Sequence, residues 1–279
     1  MKNVITRSLT GLIYIGVILG ALAGGDSWML ALVLLLTLLS VDEFNRISDR
    51  HDLHPILRIL DLLTSCMPAI AVYSAFSLSL GLGISLAITM AIGYIFYLMA
   101  RMIFPLYIKG ADMLAQTAHS MMGQIYIVWP LTTLLAVYIL NPGIALLMFV
   151  MIWLNDTGAF CVGSLLGRHK LFERVSPKKS WEGFFGGLLF AIAAGVAASL
   201  MYPSGLLMQY PPLTLGLLGL IVAVMATWGD LVESQIKRTL GIKDSGKLLP
   251  GHGGILDRID SLLFVAPSTL IFIILTILL

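Results

Sequence analysis

Charge is what this chain lacks. Asp, Glu, Lys and Arg make up 11% of its 279 residues, against roughly a quarter in soluble domains, while 58% of the residues are hydrophobic. That shortage excludes a soluble globular protein, and no nucleic-acid partner is expected. Cysteine is nearly absent. Cys66 and Cys161 lie in or beside apolar runs, with no CxxC pair and no His at ligand spacing. This excludes a disulfide framework and a zinc pattern, and both read as small packing residues. There is no GxxxxGK[ST] phosphate loop, no low-complexity tract, no evident repeat, and no polar stretch long enough for a soluble domain. Only the connections near 42–61, 164–183 and 230–260 have any length.

What the chain does have is apolar runs close to the ~20 residues that cross a bilayer. They fall at about 8–24, 27–41, 62–81, 83–103, 119–140, 143–163, 184–202, 212–229 and 261–279. The expected fold class is all-α, a polytopic helical bundle of about nine transmembrane helices in the lipid bilayer. It forms one membrane domain, with N-terminal spans over about 1–140 and a catalytic half over about 141–279. With the N-terminus inside, all 17 Lys and Arg fall on the cytoplasmic side, and the opposite loops near Gly24, Ser79, Asn141, Pro203 and Tyr210 hold none. The positive-inside rule then puts the N-terminus in the cytoplasm and the C-terminus outside. Lys2, Arg7 and the following run to Ala21-Leu22-Ala23 have the form of a secretory signal. An uncleaved first span is the better reading, because many spans follow. Short termini without a retention signal point to a bacterial cytoplasmic (inner) membrane.

The few ionisable residues are concentrated between Asp230 and Asp260, at the edge of two apolar runs, where charge is costly unless it has a role. Asp230, Glu233, Ser234 and Lys237 share one face if the helix continues past Trp228. Asp257 and Asp260 share another, with Arg258 between them. Two carboxylate-bearing helix ends joined by a Gly-rich loop can converge, and hard oxygen ligands near phosphates suit Mg²⁺. Interfacial ion pairs, such as Asp230 with Lys237 or Asp257 with Arg238, explain the same spacing. The loop between them contains Gly241, Lys243, Asp244, Gly246, Lys247 and Gly251-His252-Gly253-Gly254. Its glycines let backbone N–H groups approach an anion and its lysines neutralise one. His252 fits either a phosphate or base contact, or a tight turn.

A second polar island starts at Asn155 and Asp156, inside an apolar run, so Asp156 should face the bundle interior. Gly158, Gly163 and Gly167 suit close helix approach. Further on, Ser176 followed by Pro177 reads as a helix N-cap and first-turn pair, placing Lys178 and Lys179 on a first turn that would welcome phosphate. The alternative account of these lysines is a positive-inside stop signal. Elsewhere Asp42 and Glu43 with Arg46 read as an ion-pair patch, Arg46, Arg50, Arg58 and Arg101 as topology determinants, and Asp112 and His119 carry little signal.

Ser234, Lys237-Arg238, Lys243-Asp244, Gly246, His252-Gly253-Gly254 and Asp257-Arg258-Ile259-Asp260 together resemble the signature of the phosphatidate cytidylyltransferases, or CDP-diacylglycerol synthases. The stretches 155–159 and 176–183 are similar to other polar segments of that family. The resemblance implies transfer of the cytidylyl group from CTP to phosphatidic acid with Mg²⁺. It also implies a two-cation centre, divalent beside monovalent (K⁺), at Asp230 and Asp257, with Asp156 a further metal candidate. On that basis Lys237, Arg238, Lys243, Asp244, His252, Arg258 and Asp260 are the catalytic candidates. Ser176, Lys178, Lys179, Ser180, Ser234, Gly253 and Gly254 are the substrate-binding ones. The glycines at 186, 187 and 195 suit helix contacts, a homodimer included. A CTP-using lipid kinase and a transporter with a cytoplasmic anion site are the rival readings.

Overall fold

The computed structural model describes residues 2–48, 55–108, 112–201, 207, 209–246, 248 and 253–278, with side chains from residue 10 onward. His252, among the expected catalytic residues, lies outside them, as does Lys247. The protein is helical almost throughout. Among the described residues, eight helical stretches are long and apolar enough to cross a membrane, and a ninth, shorter apolar stretch covers Thr10–Gly24. The all-α polytopic expectation therefore holds. Many large apolar side chains, among them Leu80, Phe96, Leu114 and Leu213, are exposed, as expected where lipid rather than water surrounds the helices.

The chain forms two compact units, one of residues 1–139 with 244–258 and the other of 140–243 with 259–279. The first contains α1 (Lys2–Gly24), α2 (Asp26–Ser48), α3 (Pro55–Ser65), α4 (Met67–Ser77), α5 (Leu80–Ile103), α6 (Met113–Gly123) and α7 (Trp129–Leu140). Where one span was expected at 62–81, α3 and α4 instead run in tandem over Pro55–Ser77, broken at Cys66 because Pro68 has no N–H to continue the ladder. Likewise α6 and α7 are joined by a π-helical segment, Gln124–Val128, just before Pro130. Asp112 caps α6, its carboxylate accepting from Ala115 N at 2.9 Å.

Arg101, expected only to set topology, is buried inside this unit at 1% exposure. Its Nε donates to Asp61 Oδ1 at 3.1 Å, and Tyr97 Oη and Ser120 Oγ donate to the same oxygen at 2.7 and 3.0 Å. A charge at this depth requires such a partner. Basic residues near a span's end thus have two uses that sequence position does not separate.

The second unit contains α8 (Pro142–Leu166), β1 (Lys170–Phe172), β2 (Ser176–Ser180), α9 (Trp181–Met201), α10 (Pro212–Leu240) and most of α11 (Leu256–Leu278). Its core is α9 packed between α8 and α10. Small residues allow backbone contact there: a Cβ on Gly186 would lie 3.0 Å from Gly158 O, and one on Gly195 only 2.1 Å from Leu215 O. Gly186, Gly187 and Gly195 are thus used inside the unit. The run expected to end at 229 continues to Leu240 and closes at Gly241, whose φ of 72° lets Ile242 N donate back to Lys237 O.

One expected element is different. Ser176–Ser180 is a strand paired antiparallel with Lys170–Phe172, not the start of a helix. Pro177, with no N–H, fits a two-stranded ribbon, where one edge needs no donor. The helix begins four residues later, capped by Ser180, whose Oγ accepts from Gly183 N at 3.1 Å. The hairpin is tied to the start of α9 by Glu182, whose carboxylate accepts from the N–H groups of Arg168 and His169 and bonds His169 Nδ1 at 2.6 Å.

Candidate active site

Within the second unit a cavity of about 420 Å³ is lined by Asn155 and Asp156 from α8, Lys178, Lys179 and Ser180 from β2, and Thr227 and Asp230 from α10. Each wall follows from a local rule. The hairpin replaces a helix first turn, so Lys178 and Lys179 alternate along a strand rather than facing a helix dipole. The reasoning that tied them to a helix N-terminus is corrected accordingly, yet both lysines still line the cavity beside Ser180. Ser176 sits further back on the same strand and is not among the lining residues.

Lys179 Nζ lies 2.6 Å from Asp230 Oδ2, and Ser234 Oγ donates to Asp230 Oδ1 at 3.2 Å. Asp230 is in the body of α10, ten residues before its last residue, rather than at its tip. Asp260 on α11 feels the negative charges of Asp230 and Asp156 together with the positive charge of Lys179. The closeness of α10 and α11 here depends on Gly229, where a Cβ would stand 2.6 Å from Asp260 O. Asp156, Asp230 and Asp260 are thus brought together with Lys179 in one unit. One turn along α10, Lys237 pairs with Glu233, both largely buried. Neither ion pair is the Asp230–Lys237 pair that spacing suggested. Arg238 and Lys243 are exposed beyond, Arg238 Nη1 reaching Ile242 O at 3.4 Å.

The rest of the signature belongs to the first unit. Asp257 Oδ2 accepts from Ser245 N at 3.0 Å and Gly254 N at 2.8 Å, with Ser245 Oγ at 2.9 Å. Gly253 has φ 86°, and a Cβ there would fall 2.6 Å from the same carboxylate oxygen. Asp244 and Arg258 are exposed, and Arg258 O accepts from Tyr14 Oη at 3.1 Å.

Two residues of this loop architecture were missed by sequence reasoning. Glu43, read as part of a surface patch, is 8% exposed and turns into the loop, while its neighbour Asp42 alone serves Arg46 and Arg58, each at 2.6 Å. Adjacent helical residues point about 100° apart, so the two carboxylates of Asp42-Glu43 had to face different surroundings. That was the available signal. Ser245, the other omission, is buried between Glu43 and Asp257, and nothing in its spacing marks it.

The donor set fits a hard cation. Asp156 and Asp230 supply carboxylate oxygens to one cavity, and Mg²⁺ is usually held by one or two carboxylates, with water and phosphate oxygens completing the shell. Among the described residues no group of three or more His, Cys, Asp or Glu is arranged to hold a metal ion, so protein carboxylates alone do not complete a coordination shell here, and water and phosphate oxygens would have to supply the rest.

The cytidylyltransferase family model matches residues 5–276. Similar proteins include the phosphatidate cytidylyltransferase of Staphylococcus epidermidis, 44% identical over 131 residues, or 47% of this chain and 49% of the relative. The protein of the same name from Staphylococcus aureus is 47% identical over 123 residues, 43% and 44% of the two chains. That of Staphylococcus haemolyticus is 45% identical over 119 residues. The matching part of the chain spans about half the length of these relatives.

Proposed function

The chain belongs to the cytidylyltransferase family, and from that premise we propose that it transfers the cytidylyl group of CTP to phosphatidic acid. The observation that carries this reading is the cavity in which Lys178 and Lys179 stand beside Asp156 and Asp230. Cationic side chains and metal-type carboxylates lining one cavity are what a reaction between two phosphate-bearing molecules requires. The names of the Staphylococcus relatives support the choice of substrates.

In this reaction an oxygen of the lipid phosphate forms a bond to the α-phosphorus of CTP. The bond from that phosphorus to the bridging oxygen breaks, and pyrophosphate leaves with the electron pair. The attacking group is already anionic near neutral pH, so no strong base is needed. The difficulty is bringing two anions together. Lys178 and Lys179 reduce that repulsion and orient the phosphates, with Ser180 at the base of the hairpin. Lys237, Arg238, Lys243 and Arg258 are further phosphate ligands on this reading, and Ser234 steadies Asp230. Asp156 and Asp230 would hold Mg²⁺, with Asp260 beside them, and Asp257 is a further cation-binding carboxylate, for Mg²⁺ or a monovalent ion such as K⁺. When bound, the metal supplies positive charge to phosphate oxygens and to the departing pyrophosphate.

Phosphatidic acid stays in the bilayer by its acyl chains while CTP is soluble, so on this reading the site belongs at the cytoplasmic rim of a bacterial membrane, a placement that the one-sided distribution of Lys and Arg supports. The test uses purified protein in vesicles containing phosphatidic acid, with CTP labelled at either the α- or the γ-phosphate. Cytidylyl transfer moves the α-label into lipid and leaves the γ-label in pyrophosphate. A lipid kinase does the reverse, with γ-label in lipid and α-label in CDP, and that outcome would refute the proposal.

A further inference from the structure

Glu43 is a carboxylate in α2, more than two hundred residues away in sequence from everything it holds. Its Oε2 accepts from Ile255 N at 2.9 Å, and its Oε1 accepts from Leu256 N at 3.1 Å and from Ser245 Oγ at 2.5 Å. Among the described residues no Lys, Arg or His pairs with it. Its charge is met instead by these donors and by the N-terminus of the 23-residue α11. The loop is shaped around it. A Cβ on Gly254 would fall 2.1 Å from Glu43 Oε1, and one on Gly246 would fall 2.6 Å from Oε2. At 254 the Glu43 carboxylate and the Ser245 hydroxyl, 2.3 Å from the same Cβ position, together fill the space a side chain would need.

Ser245 links Glu43 to Asp257. Its hydroxyl has one proton and stands 2.5 Å from Glu43 Oε1 and 2.9 Å from Asp257 Oδ2. Two carboxylates around one proton repel each other in a buried setting. A cation held by Asp257 would relieve that repulsion and leave the hydroxyl proton to Glu43. Glu43 in turn fixes the backbone at Ile255 and Leu256, the residues that immediately precede Asp257. Each favours the other, as linked events must.

We propose that Glu43 is a positioning residue that holds the 244–257 loop, and through Ser245 the Asp257 carboxylate, ready for a cation. The inference rests on the reading of Asp257 as a cation-binding carboxylate. It places a determinant of the Asp257 carboxylate in the N-terminal spans, far in sequence from the signature that follows Asp230.

The experiment measures binding of Mn²⁺ to the full chain in lipid nanodiscs, by loss of the free-ion paramagnetic resonance signal, for the parent and for Glu43→Gln, Ser245→Ala and Asp257→Asn. Gln at 43 offers an amide N–H where a backbone N–H needs an acceptor, so Glu43→Gln should raise the dissociation constant of the Asp257-dependent ion about tenfold or more. Ser245→Ala should raise it less. Thermal unfolding of each variant identifies any that fails to fold, and in that case Ser245→Ala decides. Parent-like Mn²⁺ binding in both Glu43→Gln and Ser245→Ala, with binding lost in Asp257→Asn, overturns the positioning role alone. Parent-like binding in Asp257→Asn overturns the reading of Asp257 on which the proposal stands.

Discussion

Lys179 on a β-strand and Asp230 in the body of a long helix meet with 2.6 Å between Nζ and Oδ2. The pair lines a cavity that also contains Asp156 and Lys178. An exposed ion pair contributes little to stability, and both side chains here are part-exposed, at 26% and 37%. On the proposed function, the pairing holds charge in place for a phosphate-bearing ligand.

The first prediction follows from that arrangement. Lys179→Ala and Asp230→Asn should each lower kcat/KM for CTP by roughly 10²–10³ while leaving thermal unfolding nearly unchanged. The double variant should lose little more than either single one, because groups that act as a unit are strongly non-additive. Steady-state transfer of α-labelled CTP to lipid checks this. Additive losses would mean that the two residues act separately.

A second prediction separates the two serines of the hairpin. Ser180 caps α9 through Gly183 N, whereas Ser176 lies in the strand. Ser180→Ala should cost about 1 kcal/mol of stability. Ser176→Ala, at a half-buried strand position where no helix cap is lost, should stay within about 0.5 kcal/mol of the parent. Unfolding curves in mixed detergent micelles measure both, and equal costs would restore the helix start at Ser176.

The helical runs were legible in the sequence because a bilayer requires long apolar stretches, and a shortage of charge exposes them. Lys178, Lys179 and Asp230 stood out in the sequence because polar residues at a span's edge need a reason, and the structure brings all three to one cavity. The hairpin was not. Ser-Pro at 176 and Ser-Trp-Glu-Gly at 180 are both acceptable helix starts, and only the pairing with Lys170–Phe172 decides between them. Glu43 was hidden for a related reason. Arg46 stands one turn from Asp42, so a local ion pair seemed to account for both neighbouring carboxylates. The donors that Glu43 serves lie beyond residue 244, and no local pattern reports a contact at that separation.

The third prediction concerns Asp61 and Arg101, which are buried at 1% exposure each. Removing one partner leaves an uncompensated charge, with a cost of about 3–5 kcal/mol. Asp61→Leu or Arg101→Met alone should therefore reduce folded yield and unfolding temperature sharply. The double change Asp61→Leu with Arg101→Met should recover much of the loss, because paired apolar replacements avoid desolvation of a charge. Tyr97 and Ser120 also bond Asp61, so recovery stays incomplete. Recovery no better than the worse single variant would show that the pair has a role beyond mutual neutralisation.

The fourth prediction is metal dependence. Asp156 and Asp230 bring two negative charges to the cavity, so if it admits phosphates as proposed, without a cation these carboxylates would repel the substrates that the lysines attract. Chelation with EDTA should abolish transfer, and Mg²⁺ should restore it. Ca²⁺, larger and less demanding of octahedral geometry, should restore much less. Asp156→Asn removes one charge while preserving side-chain shape, and should raise the Mg²⁺ concentration for half-maximal activity about tenfold. Asp230→Asn should raise it further, since its partner Lys179 would then lose an anchor as well. A titration of activity against free Mg²⁺ at saturating CTP reads both effects. Half-saturation unchanged in the two variants would remove these carboxylates from the metal's coordination and leave Lys179 as the only role for Asp230.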